Sequence, residues 1–346
     1  MRAAKQLLAL TVAVAVSVFA CGGQSSSAVD AGGGGDAQPA GDAGVGCDPY
    51  AFRSPSVELF VGPDGLESRL LNEINGATTS LDMMMYLLTL NEFVDAIVAA
   101  KNRGVGVRIM LDRNHPGNVD SRAALLNAGV DVHDSPSAFT HAHTKAMIID
   151  GDRAIIMSSN LNYTSMAEER NYGVIDRDVD DIDDLQRVFD SDWNGGGSYP
   201  DLSCTRLIVS PVNSRQRILD HINRAETNLD LSVMYIAEDT TRNAIINRAN
   251  AGISVRVLLA DPAWMPDNAT TATTLQNVGI PVKFAENISM HAKLVLADGV
   301  PLVGSENLSF TSYTENREVG AIVLNSAEQA KAQAQFEADW SAGVSP

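Results

Sequence analysis

The chain repeats itself, and that limits its possible folds more than any compositional value does. His143, Lys145 and Asp150 recur as His291, Lys293 and Asp298, each 148 positions later. Ser158 and Asn160 recur as Ser305 and Asn307, 147 positions later. "FDSDW", ending at Trp193, answers "FEADW", ending at Trp340. Upstream, "SLDMMMYLL" answers "NLDLSVMYI", and "AAKNRGVGVRIMLD" answers "RANAGISVRVLLAD". Residues 56–194 and 205–342 are therefore two copies of one unit of about 140 residues.

Each copy reads as alternating strands and helices. The first has a short strand, a helix over Leu66–Ile74 and a buried strand "SLDMMMYLL". Next comes a helix with Phe93, Val94, Ile97 and Val98 spaced three and four apart. Gly104 closes that helix, and "VGVRIMLD" alternates as a strand. The motif strands "KAMIID" and "KLVLAD" follow, and Gly151 and Gly299 turn each back into a second strand ending in Ser and Asn. The fold class is α/β: two tandem pseudo-twofold-related repeats, each a mixed β-sheet flanked by helices, with the active site at their interface.

In an extended strand, His143 and Lys145 point to the same face, and the hairpin returns Ser158 and Asn160 toward them. Each copy offers a titratable ring, a permanent cation and two neutral hydrogen-bonding groups. Two copies joined about a pseudo-twofold axis set two histidines and two lysines opposite one another. The lysines would neutralise the non-bridging oxygens of a phosphodiester, and Asn160 and Asn307 would orient them. The histidines would flank phosphorus for in-line displacement. A single H-x-K-x(4)-D is a weak signal. Two in register, each followed by Ser-x-Asn, are not coincidental.

These motifs resemble the phospholipase D superfamily, whose signature is H-x-K-x(4)-D followed by G-S-x-N, and the resemblance covers the whole folded part. The second copy is complete, "HAKLVLAD" with "GSEN"; in the first, Met157 replaces the glycine before Ser158. The resemblance implies that His143, Lys145, His291 and Lys293 are catalytic, through a phosphohistidine, with no metal and no cofactor. Ser158, Asn160, Ser305 and Asn307 would support the phosphate, and Asp150 and Asp298 would be structural. Family members hold the histidine's other nitrogen with a downstream acidic residue. The second copy supplies Glu318 in "NRE", and the aligned first-copy position is Asn171 in "ERN". A carboxylate favours the imidazolium. Assigning Glu318 to its own copy makes His143 the nucleophile and His291 the general acid.

The N-terminus carries Arg2 and Lys5 and then "LLALTVAVAVSVFAC", an export-signal pattern too short for a membrane span. "VFAC" resembles a lipoprotein lipobox, which implies lipidation of Cys21. Residues 1–20 are then a signal peptide and 21–46 a Gly/Ala/Ser/Asp-rich tether. Residues 47–200 and 201–346 hold the repeats. The resemblance implies an exported protein anchored to the bacterial outer membrane or cell surface; without lipidation it would be secreted or periplasmic. In that oxidising setting Cys47 and Cys204 are expected to form a disulfide.

The formal net charge of −18 opposes long-range attraction to nucleic acid. His141 makes an H-x-H with His143, but no third metal ligand is evident, and a substrate-facing or solvated histidine is expected. The acidic run of residues 176–184 reads as a helix start rather than a calcium loop. The loops after "MLD" and "LAD" are expected at the site mouth, with Trp264 and Met265 touching lipid or packing on the body. The leading expectation is a monomeric phospholipase D-type hydrolase acting on phospholipid at a membrane surface. The alternatives are a secreted endonuclease and a cardiolipin synthase-like phosphatidyltransferase; a non-enzymatic binding protein would not need both motif copies intact.

Overall fold

The computed structural model describes residues 48–196 and 200–346, and the repeat is visible in it element by element. Cys21, Cys47, the signal pattern and the whole of the tether lie outside the described residues. The first copy comprises β1 (Glu58–Gly62), α1 (Leu66–Asn75), β2 (Ser80–Met85), α2 (Asn91–Asn102), β3 (Gly106–Leu111) and α3 (Val119–Asn127). It continues with β4 (Asp131–Asp134), β5 (Lys145–Ile149), β6 (Arg153–Met157), α4 (Tyr163–Ala167), β7 (Glu169–Asp176) and α5 (Val179–Trp193). The second comprises β8 (Ile208–Ser210), α6 (Ser214–Asn223), β9 (Asn228–Val233), α7 (Asp239–Asn250), β10 (Ser254–Ala260), α8 (Asn268–Gln276) and β11 (Val282–Ala285). After β12 (Ser289–Met290) come β13 (Lys293–Ala297), β14 (Val300–Gly304), α9 (Phe310–Thr314), β15 (Glu318–Ile322) and α10 (Ser326–Ala342).

Each copy forms a mixed sheet, ordered β1-β7-β6-β5-β2-β3-β4 in the first and β11-β10-β9-β13-β14-β15-β8 in the second. β2, β3 and β4 are parallel, as are β9, β10 and β11, while the motif strands β5 and β13 join them antiparallel. Alternation along the strands divides the apolar residues between two layers. Met147 and Ile149 face an outer core with Leu70, Phe93 and Ile97. Ala146 and Ile148 face an inner core shared with Leu294 and Leu296 of the second copy, and Phe189 and Phe336 lie in it. A second outer core holds Ile218, Leu231 and Ile245. The inner apolar face that each sheet would expose alone is covered by the other copy.

The turns follow from local chemistry. Gly104, at φ 95°, follows α2, as its helix-closing position requires. The motif hairpins turn on Asp150–Gly151 and Asp298–Gly299, with φ of 55°, 67°, 51° and 80°. Two successive positive φ angles suit an Asp-Gly pair in a two-residue hairpin. Part of the acidic run does start a helix: Asp178 caps α5, accepting from Asp180 N at 3.1 Å. Asp181 also lies in that first turn and has a further role. It is buried and paired with Arg53 and Arg206, which fasten the segment before β1 and the approach to β8 onto α5. Cys204 is disulfide-bonded. Among the described residues no helix is long and apolar enough to cross a membrane.

Candidate active site

Backbone pairing across the two copies places the motif histidines. Ala142 bridges Arg317, and Met290 pairs in parallel with Arg170. One residue further along, each histidine therefore meets the strand of the opposite copy. His143 Nδ1 donates to Glu318 Oε2 at 2.7 Å, and His291 Nδ1 donates to Asn171 Oδ1 at 3.0 Å. This corrects the expectation that Glu318 holds the histidine of its own copy. Alignment identifies equivalent positions, but the cross-copy register decides which histidine each one reaches. With Nδ1 engaged on an acceptor, Nε2 of each ring is left for chemistry.

The supports around the two rings contain the same residue types in exchanged order. The second copy reads Asn316–Arg317–Glu318, where Ser312 and Asn316 donate to the Glu318 carboxylate. The first reads Glu169–Arg170–Asn171. There Ser165 Oγ donates to Glu169 Oε2 at 2.6 Å, and Glu169 lies 3.6 Å from His291 Nδ1. Sequence reasoning missed Glu169, although its alignment with Asn316 was the available signal. It also missed the arginines between these positions. Arg170 pairs with Asp339 of the second copy and Arg317 with Asp192 of the first, through Nε at 2.8 and 2.7 Å. Asp192 and Asp339 are the conserved-within-chain aspartates of "FDSDW" and "FEADW", so the match of those segments has a cross-copy purpose.

The lysines lie beneath the rings. Lys145 Nζ donates to His143 O at 2.6 Å, and Lys293 Nζ donates to His291 O at 2.5 Å. Their charge, expected to be permanent from the sequence, is opposed here by burial. Burial pushes Lys145 well below its ordinary pKa and brings Lys293 down to about 7, despite Glu318 and Glu169 nearby. An anion between them would supply the charge that restores both protons. Burial likewise lowers His143 to about 4 against the opposing pull of Glu318. His291 is driven well down by burial and then by Lys293 and Lys145. Burial would raise Glu318, but His143, Lys145 and Ser312 outweigh it and keep the carboxylate charged.

Ser158 Oγ donates to Asn171 Oδ1 at 2.7 Å and accepts from Tyr172 N at 3.0 Å, while Ser305 Oγ accepts from Val319 N at 3.1 Å. Both serines brace the strands that carry the histidine partners. Asn160 and Asn307 are buried, and among the described residues their Oδ1 atoms have no hydrogen-bond partner. Asp150 accepts the amides of Thr78, Thr79 and Ser80, and Asp298 those of Glu226, Thr227 and Asn228. The motif aspartates thus tie each hairpin to the start of β2 or β9 and are structural.

The walls beside the two histidines differ. Tyr86 lies edge-on to His143 at 4.7 Å between ring centres, and His115 and His141 pack against it at 4.8 and 5.6 Å. Beside His291, at 6.4 Å between ring centres, is Trp264, which is 41% exposed. Met265 packs back on the inner core, as does Met234, the counterpart of Tyr86. The loop residues therefore reach the mouth as expected, one wall polar and titratable, the other apolar. Among the described residues no three His, Cys, Asp or Glu side chains are grouped to hold a metal ion.

A family profile described as "Cardiolipin synthase, PLD-like domain" matches the chain twice, over residues 70–193 and 218–340. The chain belongs to the phospholipase D superfamily. Among curated members, a cardiolipin synthase of Clostridium perfringens is 24% identical over 82% of this chain and 70% of its own length. The minor cardiolipin synthase ClsB of Bacillus subtilis is 24% identical over 84% of this chain and 82% of its own. A mitochondrial cardiolipin hydrolase of Danio rerio is 30% identical over 38% of this chain, which spans 60% of that protein's length. The fold is shared with a phosphatidylserine synthase of Haemophilus influenzae, at TM-score 0.66 and 12% identity over 84% of this chain and 86% of that one. Superfamily membership supports an enzyme with phosphodiester chemistry.

Proposed function

We propose that this protein hydrolyses the head-group phosphodiester of phospholipids, giving phosphatidic acid and a free alcohol. The observation that carries this reading is the contrast between the cleft walls. A half-exposed tryptophan lies beside His291, and a polar ring cluster lies beside His143, which suits an amphiphile. The net charge of −18 argues against a polyanion.

The geometry supports His143 as nucleophile, for a reason other than the one read from the sequence. Attack by Nε2 on phosphorus leaves a positively charged phosphoimidazole ring, and Glu318 is in place to stabilise that charge. His291, lacking a hydrogen-bonded carboxylate, gains its proton when the phosphodiester brings negative charge to the lysines. It then protonates the leaving oxygen as the P–O bond breaks. In the second step it takes a proton from water, whose oxygen displaces Nε2 and restores neutral His143. Lipidation at Cys21 would hold such an enzyme at a membrane surface, and intact-mass analysis of the native N-terminus checks it.

Similarity to cardiolipin synthases favours a second reading, phosphatidyl transfer, in which an alcohol replaces water in the second step. The deciding experiment offers phosphatidylcholine vesicles, with and without phosphatidylglycerol, and plasmid DNA in parallel, with EDTA present and His143→Ala as control. Choline and phosphatidic acid that disappear in the variant support hydrolysis. Cardiolipin-like product dependent on phosphatidylglycerol would replace it with transfer, and nicking alone would make the protein a nuclease. Trapping the phosphoenzyme on His291 would overturn the assignment of His143.

A further inference from the structure

Glu306 stands between Ser305 and Asn307 of the second motif. It is 2% exposed, and among the described residues no side chain hydrogen-bonds either carboxyl oxygen; its own amide and that of Ser305 bear on it. Its room comes from glycine. Gly304 and Gly320 are ladder partners on β14 and β15, and a Cβ on either would collide with Glu306 Oε2. The first copy solves the same space differently. The counterpart ladder pair is Met157 and Gly173, and a Cβ on Gly173 would meet Phe60 and, at 2.7 Å, Met157 Cβ. The counterpart of Glu306 is the short Ser159. Methionine stands at the motif glycine where position 159 has no long side chain; a Cβ at Gly304 would also meet Gly320 Cα at 2.5 Å and Val319 O at 2.8 Å, so glycine there serves the strand pairing as well as Glu306.

Gly320 is two residues beyond Glu318 on β15, so the Glu306 carboxyl lies against the strand that holds the His143 partner. The titratable groups facing it are Glu318 from β15, Lys145 from β5 and Tyr313 from α9. An ionised carboxylate here would be buried beside the Glu318 carboxylate, with backbone amides of its own turn and Lys145 to favour it. We propose that Glu306 is a positioning residue, held as a neutral carboxylic acid, that fixes the β14–β15 strand end carrying Asn307 and Glu318. Burial and then the Glu318 charge push its carboxyl well above the ordinary range, although its own amide, that of Ser305 and Lys145 pull the other way.

This rests on Glu318 and His143 acting as a pair, and the test separates the two ideas. Glu306→Gln keeps the shape without the titration and is expected to hold kcat within about twofold. Glu306→Ala is expected to lower kcat about tenfold with little change in KM. The Gly304→Met/Glu306→Ser double variant, copying the first repeat, is expected to recover most of that loss. A second arm needs no substrate. A native acid with a raised pKa costs stability as pH rises above about 4.3, the ordinary glutamate value. Glu306→Gln should therefore gain in melting temperature over the parent progressively from pH 4 to 8. Loss of kcat in the glutamine variant equal to that in the alanine variant would overturn the neutral role, as would a constant or shrinking melting difference. If the parent shows no lipid turnover, the functional reading falls while the melting arm still decides the state of Glu306.

Discussion

His143 and His291 occupy equivalent positions in the two copies, yet one ring donates to a carboxylate and the other to an amide. Such a difference at one atom is enough to divide nucleophile from acid. It also fixes a pH profile. His143, lowered to about 4, is neutral and able to attack above that pH. Lys293, lowered to about 7, loses its charge as pH rises through 7. Loss of the Lys293 proton is therefore expected to contribute a fall in kcat/KM near pH 7, and protonation of His143 a fall near pH 4. Lys293→Arg should carry the descending limb to higher pH, because guanidinium keeps its proton. Initial rates across pH 3–10 check this, and an unchanged alkaline limb in the arginine variant counts against it. Glu318→Gln should lower kcat by about 10²–10³ with a smaller effect on KM, measurable by the same assay.

At the scale of elements, the sequence patterns mark most boundaries because their causes are local. The apolar spacing of α2, the αL glycine after it and the Asp–Gly hairpins each depend on neighbours within a few residues. Asp150 shows how a motif residue serves an element. Burial would raise its pKa, but the amides of Thr79, Ser80 and Thr78 overcome that and hold the carboxyl below its ordinary range. A lowered acid contributes stability above its ordinary pKa of about 3.9 and loses it on acidification. Asp150→Ala is expected to cost about 1–2 kcal/mol at neutral pH, after allowance for solvent at this turn. Denaturant midpoints at pH 7 and pH 3 check it: the difference from the parent should narrow at the lower pH. The ion pairs of Asp181 were not legible in the sequence, because its arginine partners arrive from outside the helix.

Over the whole molecule, the two copies hold each other through exchanged contacts: Arg170 to Asp339, Arg317 to Asp192, and each histidine to the opposite strand. Arg317 is buried and also donates to Ser210 O at 2.9 Å. Removing it strands Asp192 without a counter-charge, so Arg317→Met is expected to cost about 3–5 kcal/mol. Asp192→Leu in the same chain should recover part of that loss, the two changes being non-additive. Equilibrium unfolding of both singles and the double gives the coupling directly, and simple additivity would deny the pair its role.

The repeat, the α/β class and the paired His, Lys, Ser and Asn residues were legible in the sequence, because periodicity and motif spacing record local geometry. The partner of each histidine, the lowering of the lysine pKa values by burial and the place of Glu306 beside two glycines were not. Those depend on which strand of one copy lies beside which of the other and on how much water that pairing excludes. Register across the interface and burial are properties of the assembled chain, and they decide the electrostatics on which the chemistry runs.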